Sequence, residues 1–378
     1  MKSELNPQSV SDVPRDAATA LTLHRSALPA LTGIRFFAAI QVVMFHFGAG
    51  FAERHGVPPL IHGMLTNGWT AVTLFFILSG FILSYTYAGQ IDQPGEKVHF
   101  WEARFARIYP VYLLSLLLCW PSQVNPRPGP SIAVFTMVQA WNPLHVEYAG
   151  YWNMPAWTLS TEAFFYLVFP FLLPVLERFS IRVLKIFAVA VVLVITLAHT
   201  MTPSIEQLTR RTLIPLPVFR FPEFLAGMLL GMIYLRSERP RTMALTPYAA
   251  VAAIFAILLF VTGPWVSLLA IPFAILIYDL AARDSLISRL LGTRLIVLLG
   301  GASYAIYLLQ EPVRSWLHLL LRGSWDIGVN KGGFDALLNP VVLVLFSIVV
   351  FRYWEEPVRK WLRRWFNRHS ARKAVVTV

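Results

Sequence analysis

The chain has 378 residues, 56% of them hydrophobic, and a mean hydropathy of +0.59, with the apolar excess gathered in long blocks that an ordinary soluble domain does not carry. Thirty-two Lys and Arg against twenty Asp and Glu give a formal net charge of +12, which in a soluble protein would suggest nucleic acid. Here the excess sits in loops and in the C-terminal tail, so no nucleic-acid partner is expected, and the single Cys119 excludes both a disulfide framework and a thiolate metal site.

Residues 1–28 are polar and mixed in charge, lack the apolar segment and small-residue cleavage pattern of a secretory signal, and read as a disordered cytoplasmic lead-in. From residue 29 onward a bilayer is the natural solvent, because a helix needs about 20 mostly apolar residues to cross ~30 Å of hydrocarbon. Apolar runs at 31–51, 68–88, 105–121, 156–176, 183–199, 217–235, 245–262, 265–282, 294–320 and 337–354 predict an all-α polytopic membrane protein with about ten transmembrane helices. The run at 131–141 is too short to span at about 1.5 Å per residue and is expected as one short interfacial or re-entrant helix. Charge agrees with this map. With ten spans and both termini cytoplasmic, Lys97, Arg104, Arg107 and the basic stretches at 178–185, 236–241, 283–294 and 359–373 all lie inside. A true span at 131–141 would invert every later loop and put the basic tail outside. The expected domains are therefore the lead-in, a transmembrane domain over 29–358 and a basic cytoplasmic tail over 359–378.

Ionisable side chains at membrane depth cost several kcal/mol unless paired or wetted, so each is a functional candidate. In the first span, LTGIRFFAAIQVVMFHF, Arg35 and His46 stand about three helical turns apart on one face, roughly 16 Å along the axis. Arg35 can also be read as a snorkelling residue at the interface. The second span carries FFILSGF, where Ser79 and Gly80 are small enough to let helices approach closely; Ser79 is retained as a candidate substrate-binding residue. FWEARFARIYP, leading into the third span, places Arg104 and Arg107 on one side of a helix, where they either clamp phosphates or serve as topogenic charge.

In the fourth span, YWNMPAWTLSTEAFFY, Glu162 is expected at a depth similar to His46. A carboxylate beside an imidazole would fix its tautomer and stabilise the imidazolium formed when a hydroxyl is deprotonated; alternatively, Glu162 only pins the helix start. Trp152 and Trp157 fit an interfacial aromatic belt and equally offer flat faces for sugar rings. Further along, Arg220 and Glu223 are spaced for an intrahelical salt bridge. No GxxxxGK[ST], HExxH or GxSxG motif occurs, which leaves no nucleotide loop, zincin or serine elbow, and no metal is expected.

Taken together, Arg35 and His46 in the first helix, FFILSGF, RFARIYP, WTLSTEAFFY, EFLAGMLLG, SYAIYLL and EEPVRKWL resemble the acyltransferase 3 family of bacterial membrane O-acyltransferases, over most of residues 29–365. The resemblance implies transfer of an acyl group, with acetyl from acetyl-CoA as the expected case, to a hydroxyl of a glycan: an exopolysaccharide, an O-antigen or a lipid-linked saccharide. It implies no permanently bound cofactor, acyl-CoA as co-substrate, a multi-pass location in the cell inner membrane, and a stand-alone membrane enzyme without the extra soluble domain some members carry. Residue by residue it implies His46 as general base, Glu162 as its orienting carboxylate, Arg35 serving the donor, and Arg104 with Arg107 holding CoA phosphates. One position departs from the pattern: the family often has a histidine after SYxxYLL, and this chain has Gln310. The competing class is a proton-coupled transporter or glycan flippase, in which the same buried Arg, His and Glu would relay protons.

Overall fold

The computed structural model describes residues 26–119, 126–209, 213, 215–237, 242–261, 263–321 and 333–376, and it contains no strand among them. Most of the expected lead-in, residues 1–25, lies outside the described residues. The helices in chain order are α1 Pro29–His55, α2 Pro59–Thr66, α3 Ala71–Tyr87, α4 Glu96–Cys119, α5 Pro128–Phe135, α6 Trp157–Glu177, α7 Ile181–Thr209, α8 Pro217–Arg236, α9 Thr246–Phe260, α10 Ala270–Ala282, α11 Leu286–Leu291, α12 Arg294–Leu321, α13 Gly333–Val350 and α14 Glu356–Val376. Several begin on a proline at the first helical turn, as α1, α2, α5 and α8 do, where the missing N–H has no intrahelical partner to lose.

Each of the ten predicted spans falls on a helix, and the protein is an all-α polytopic membrane protein. Seven of the helical segments are long and apolar enough to cross a membrane by length and composition. Among the others, α4 carries Glu96, Lys97, Glu102, Arg104 and Arg107 in its first half, and α9 has only 15 residues. The short segment expected at 131–141 is an even shorter helix, α5, which stops at Phe135 because Met137 takes a left-handed backbone at φ 60°. At eight residues it is about 12 Å long and does not span. Most of the basic tail is helical: α13 runs through a π-turn at Phe351–Glu355 into α14, which stays helical to Val376.

Two close helix contacts explain why the small-residue motifs stand where they do. A side-chain carbon added to Gly80 of α3 would lie 2.1 Å from the Phe224 carbonyl oxygen on α8, and one added to Gly227 of α8 would lie 1.9 Å from the Ile77 carbonyl oxygen on α3. FFILSGF and EFLAGMLLG are thus the two halves of one backbone-to-backbone contact. The second contact joins α1 to α12, where Gly300 abuts the carbonyl oxygen of Thr32. Since Gly300 meets Thr32 and Gln310 meets His46, α1 and α12 run side by side in the same direction.

The stretch between α5 and α6 folds into the bundle. Asn153 is fully buried and its side-chain amide donates to Ser115 Oγ on α4 and to the Leu308 carbonyl on α12, both at 3.1 Å. Gln139 donates to Tyr112 and to the Ala156 carbonyl, and Ser160 accepts from the Ala140 N–H. The start of α6 is therefore held inside the protein, which decides the depth of the residues that follow it.

Candidate active site

Three cavities lie one after another inside the bundle. The largest, about 770 Å³, is lined by Phe45, His46, Trp69, Trp157, Arg220 and Tyr307, together with loop residues including Glu147. A small one of about 50 Å³, walled by Arg35, Thr158, Glu162, Ser303, Tyr304 and Tyr307, shares Val72 and Tyr307 with it. The third, about 100 Å³, is lined by Ser79, Arg104, Arg107 and Tyr166 and shares Arg35, Phe75, Glu162 and Tyr304 with the second. These shared walls set the cavities in file, from the RFARIYP arginines near the Pro29 end of α1 to His46 near its His55 end.

At the Pro29 end, Arg104 and Arg107 behave differently although they stand one turn apart. Arg107 forms an ion pair with Glu355 of the EEPVRKWL motif, whose side chain is 1% exposed, and its guanidinium lies 5.8 Å from the Tyr304 ring centre. Arg104 lies over the rings of Phe100 and Tyr87, at 5.9 and 6.0 Å, and its buried Nε has no hydrogen-bond partner among the described residues. Arg35 sits among Arg107, Glu162 and Glu355, and the wall of this cavity itself carries three cations, Arg35, Arg104 and Arg107, against the one carboxylate of Glu162. Ser79 belongs to the same cavity, with its hydroxyl 3.3 Å from that of Tyr166.

At the other end, His46 Nδ1 lies 2.6 Å from Gln310 Oε1. Glu162 is not its partner. The carboxylate shares cavities with Arg35, at the level of Tyr304, whereas Gln310 stands six residues further along α12, which is about 9 Å of helix rise. The displacement follows from the segment before α6, in which Trp152, Asn153, Pro155 and Ala156 are buried: α6 starts within the bundle, so Glu162 lies nearer the Pro29 end than a helix starting at the surface would place it.

Of the two tryptophans, Trp157 is on the wall of the large cavity. Trp152 is not a sugar platform. Its indole is buried, meets Phe135 edge-on and donates to the Leu116 carbonyl at 3.1 Å, and a left-handed backbone at φ 74° turns it inward.

Arg220 and Glu223 do form the expected salt bridge, at 3.0 Å, but it is the centre of a larger buried network. Thr73 donates to Glu223 at 3.1 Å, His199 Nε2 lies 3.0 Å from Arg220, and Trp69 stacks on the His199 ring at 6.1 Å. This network braces one wall of the large cavity. Gln310 was marked only as a departure from the family pattern, and the residues that sequence reasoning passed over are Tyr166, Tyr304, Tyr307 and Glu355. Glu355 had a signal, a carboxylate closing an apolar run in a chain whose third span opens with two arginines; the tyrosines carry no such mark among so many aromatics.

The arrangement brings a phosphate-sized group of cations and an imidazole to opposite ends of one file of cavities. A neutral imidazole facing a cavity within the 300–1,000 Å³ range of small-molecule sites can take a proton from a bound hydroxyl. A family model described as an acyltransferase domain matches residues 28–352. The acyltransferase MdmB of Streptomyces mycarofaciens is 30% identical over 348 residues, covering 85% of this chain and 88% of its own length. The O-acetyltransferase OatA of Staphylococcus aureus is 23% identical over 88% of this chain, and the candidate peptidoglycan O-acetyltransferase YrhL of Bacillus subtilis is 25% identical over 92%. The chain spans 57% of the length of each of these last two. No solved structure matches.

Proposed function

The chain belongs to the acyltransferase family whose domain covers residues 28–352, and from that premise we propose that it is a membrane O-acyltransferase that carries an acyl group, acetyl in the simplest case, from acyl-CoA to a hydroxyl of a glycan or glycosylated acceptor. The observation that carries the reading is the file of cavities joining Arg104 and Arg35 to His46. In this reading the Pro29 end faces the cytoplasm, where most of the loop Lys and Arg lie, and both chain termini are cytoplasmic. The membrane is the cell inner membrane. Arg104, with an unsatisfied buried N–H, and Arg35 receive the CoA phosphates or the groups next to them, and Arg107 orders the site through Glu355. The pantetheine arm leads the thioester past Glu162, Tyr304 and Tyr307 towards the large cavity. There the acceptor lies against Trp157 and Trp69, and His46 takes the proton from its hydroxyl as oxygen attacks the thioester carbon. The tetrahedral intermediate then collapses with loss of the CoA thiolate. Such a step requires a base and stabilisation of the oxyanion, for which the Tyr307 hydroxyl and the Arg220 guanidinium are the donors on the same wall.

A proton-coupled carrier would bind the same charges without cleaving a thioester. Purified full-length protein in detergent, given acetyl-CoA and assayed for free CoA, separates the two: release above the spontaneous rate supports the enzyme, and none at any protein concentration rejects it. Mass spectrometry of surface glycans from cells with and without the gene then identifies the acceptor.

A further inference from the structure

We propose that Gln310 is a positioning residue that holds His46 in its Nδ1–H tautomer, so that Nε2 is the nitrogen that takes the acceptor's proton. The inference rests on the reading of His46 as the general base and assigns to a single hydrogen bond the orientation of that base.

The argument is one of donors and acceptors. Gln310 is fully buried on α12, and its Nε2 donates to the Tyr307 carbonyl, one turn back, at 2.7 Å. A carbonyl oxygen can only accept, so the amide NH₂ must face Tyr307, and Oε1 must face His46 Nδ1, 2.6 Å away. Turning the amide over would set Oε1 against the Tyr307 oxygen, two acceptors in contact. An amide oxygen has no proton to give. In the neutral imidazole one nitrogen donates and the other accepts, so the proton belongs to Nδ1 and the lone pair to Nε2. The ring forms part of the wall of the 770 Å³ cavity.

This is the task that a carboxylate performs in a catalytic triad, done here by a neutral group. A histidine at this position could donate or accept; a glutamine pinned by Tyr307 accepts only. When the base takes its proton the Nδ1–H···O bond becomes charge-assisted, so it strengthens between ground state and transition state and acts on kcat, not on KM.

Two readouts test the proposal on the full chain in detergent. The first is the ¹⁵N spectrum of histidine-labelled protein at mildly alkaline pH, with the His46 signals identified by their loss in His46→Ala. The expected spectrum has Nδ1 protonated and Nε2 bare, and Gln310→Met turns it into a mixture or into the other tautomer. The second is cleavage of acetyl-CoA. Gln310→Met should lower kcat by about 10- to 100-fold with the KM for acetyl-CoA unchanged. Gln310→Met should add nothing in a His46→Ala background. A wild-type ring protonated on Nε2, or a Gln310→Met protein equal to wild type in both readouts, overturns the proposal. If Gln310→Met does not elute as a single species, the wild-type spectrum decides. The wrong tautomer together with a His46→Ala protein that has lost activity overturns the role of Gln310 alone; the expected tautomer with fully active His46→Ala overturns the base itself and the proposal with it.

Discussion

Replacing Arg107 with alanine strands a carboxylate. Glu355 is 1% exposed and Arg107 17%, so the pair is buried and its rupture belongs to the class that costs about 3–5 kcal/mol. Arg35 and Arg359 also face Glu355, and their remaining positive charge trims the expected loss to ~2–3 kcal/mol. For a chain of this size that is a fall in Tm of roughly 3–4 °C. Arg104→Ala removes only a cation lying over two rings, about 0.5–1 kcal/mol, and should leave Tm within roughly 2 °C of the wild type while raising the KM for acetyl-CoA several-fold. The assay is thermal unfolding in detergent, followed by tryptophan fluorescence, with donor KM measured on the same samples. Adding Glu355→Gln to Arg107→Ala supplies the control, because a neutral amide needs no counter-ion: the double variant should regain most of the lost Tm. An Arg107→Ala protein as stable as wild type, or a double variant less stable than the single one, would refute the account of Arg107 as a structural cation and return it to the donor's phosphates.

Three other outcomes follow from the geometry. Gly227→Val should abolish accumulation of folded protein, since its Cβ would stand 1.9 Å from the Ile77 carbonyl oxygen, where backbone cannot give way; normal elution from a sizing column would contradict the α3–α8 contact. Glu162→Gln should raise the KM for acetyl-CoA, because the carboxylate faces Arg35, and its effect should multiply with that of His46→Ala; a double variant no slower than His46→Ala alone would restore the direct pair. With Cys119 replaced, a cysteine at Ser204 should label from outside the cell and one at Ser237 only after permeabilisation, and the opposite pattern would invert the assignment of the two ends.

The helices were legible in the sequence because bilayer length and apolar runs are one-dimensional signals, and all ten runs fall on helices. The position of Arg35 and His46 on one helix was equally accessible, being a matter of rise per residue. Glu162 was not, because its depth depends on where α6 starts, and that start is set by Asn153 bonding to Ser115 and Leu308 on two helices remote in sequence. Trp152 misled for a related reason: an aromatic near a predicted membrane surface reads as part of a belt, but a left-handed residue turns it into the core. Arg220 and Glu223 were recognisable as an i, i+3 pair, whereas the contribution of Thr73 and His199 required two further helices to converge. Gln310 stood out only as a departure from a family pattern, and its meaning came from the carbonyl of Tyr307.

The most direct measurement is the turnover of acetyl-CoA by purified wild-type and His46→Ala proteins at saturating donor. A positioned general base contributes about 10²–10⁴-fold, so His46→Ala should lose that factor in kcat while keeping the wild-type KM for acetyl-CoA, Tm and elution profile. A His46→Ala protein that turns over acetyl-CoA within a few-fold of wild type would contradict the account.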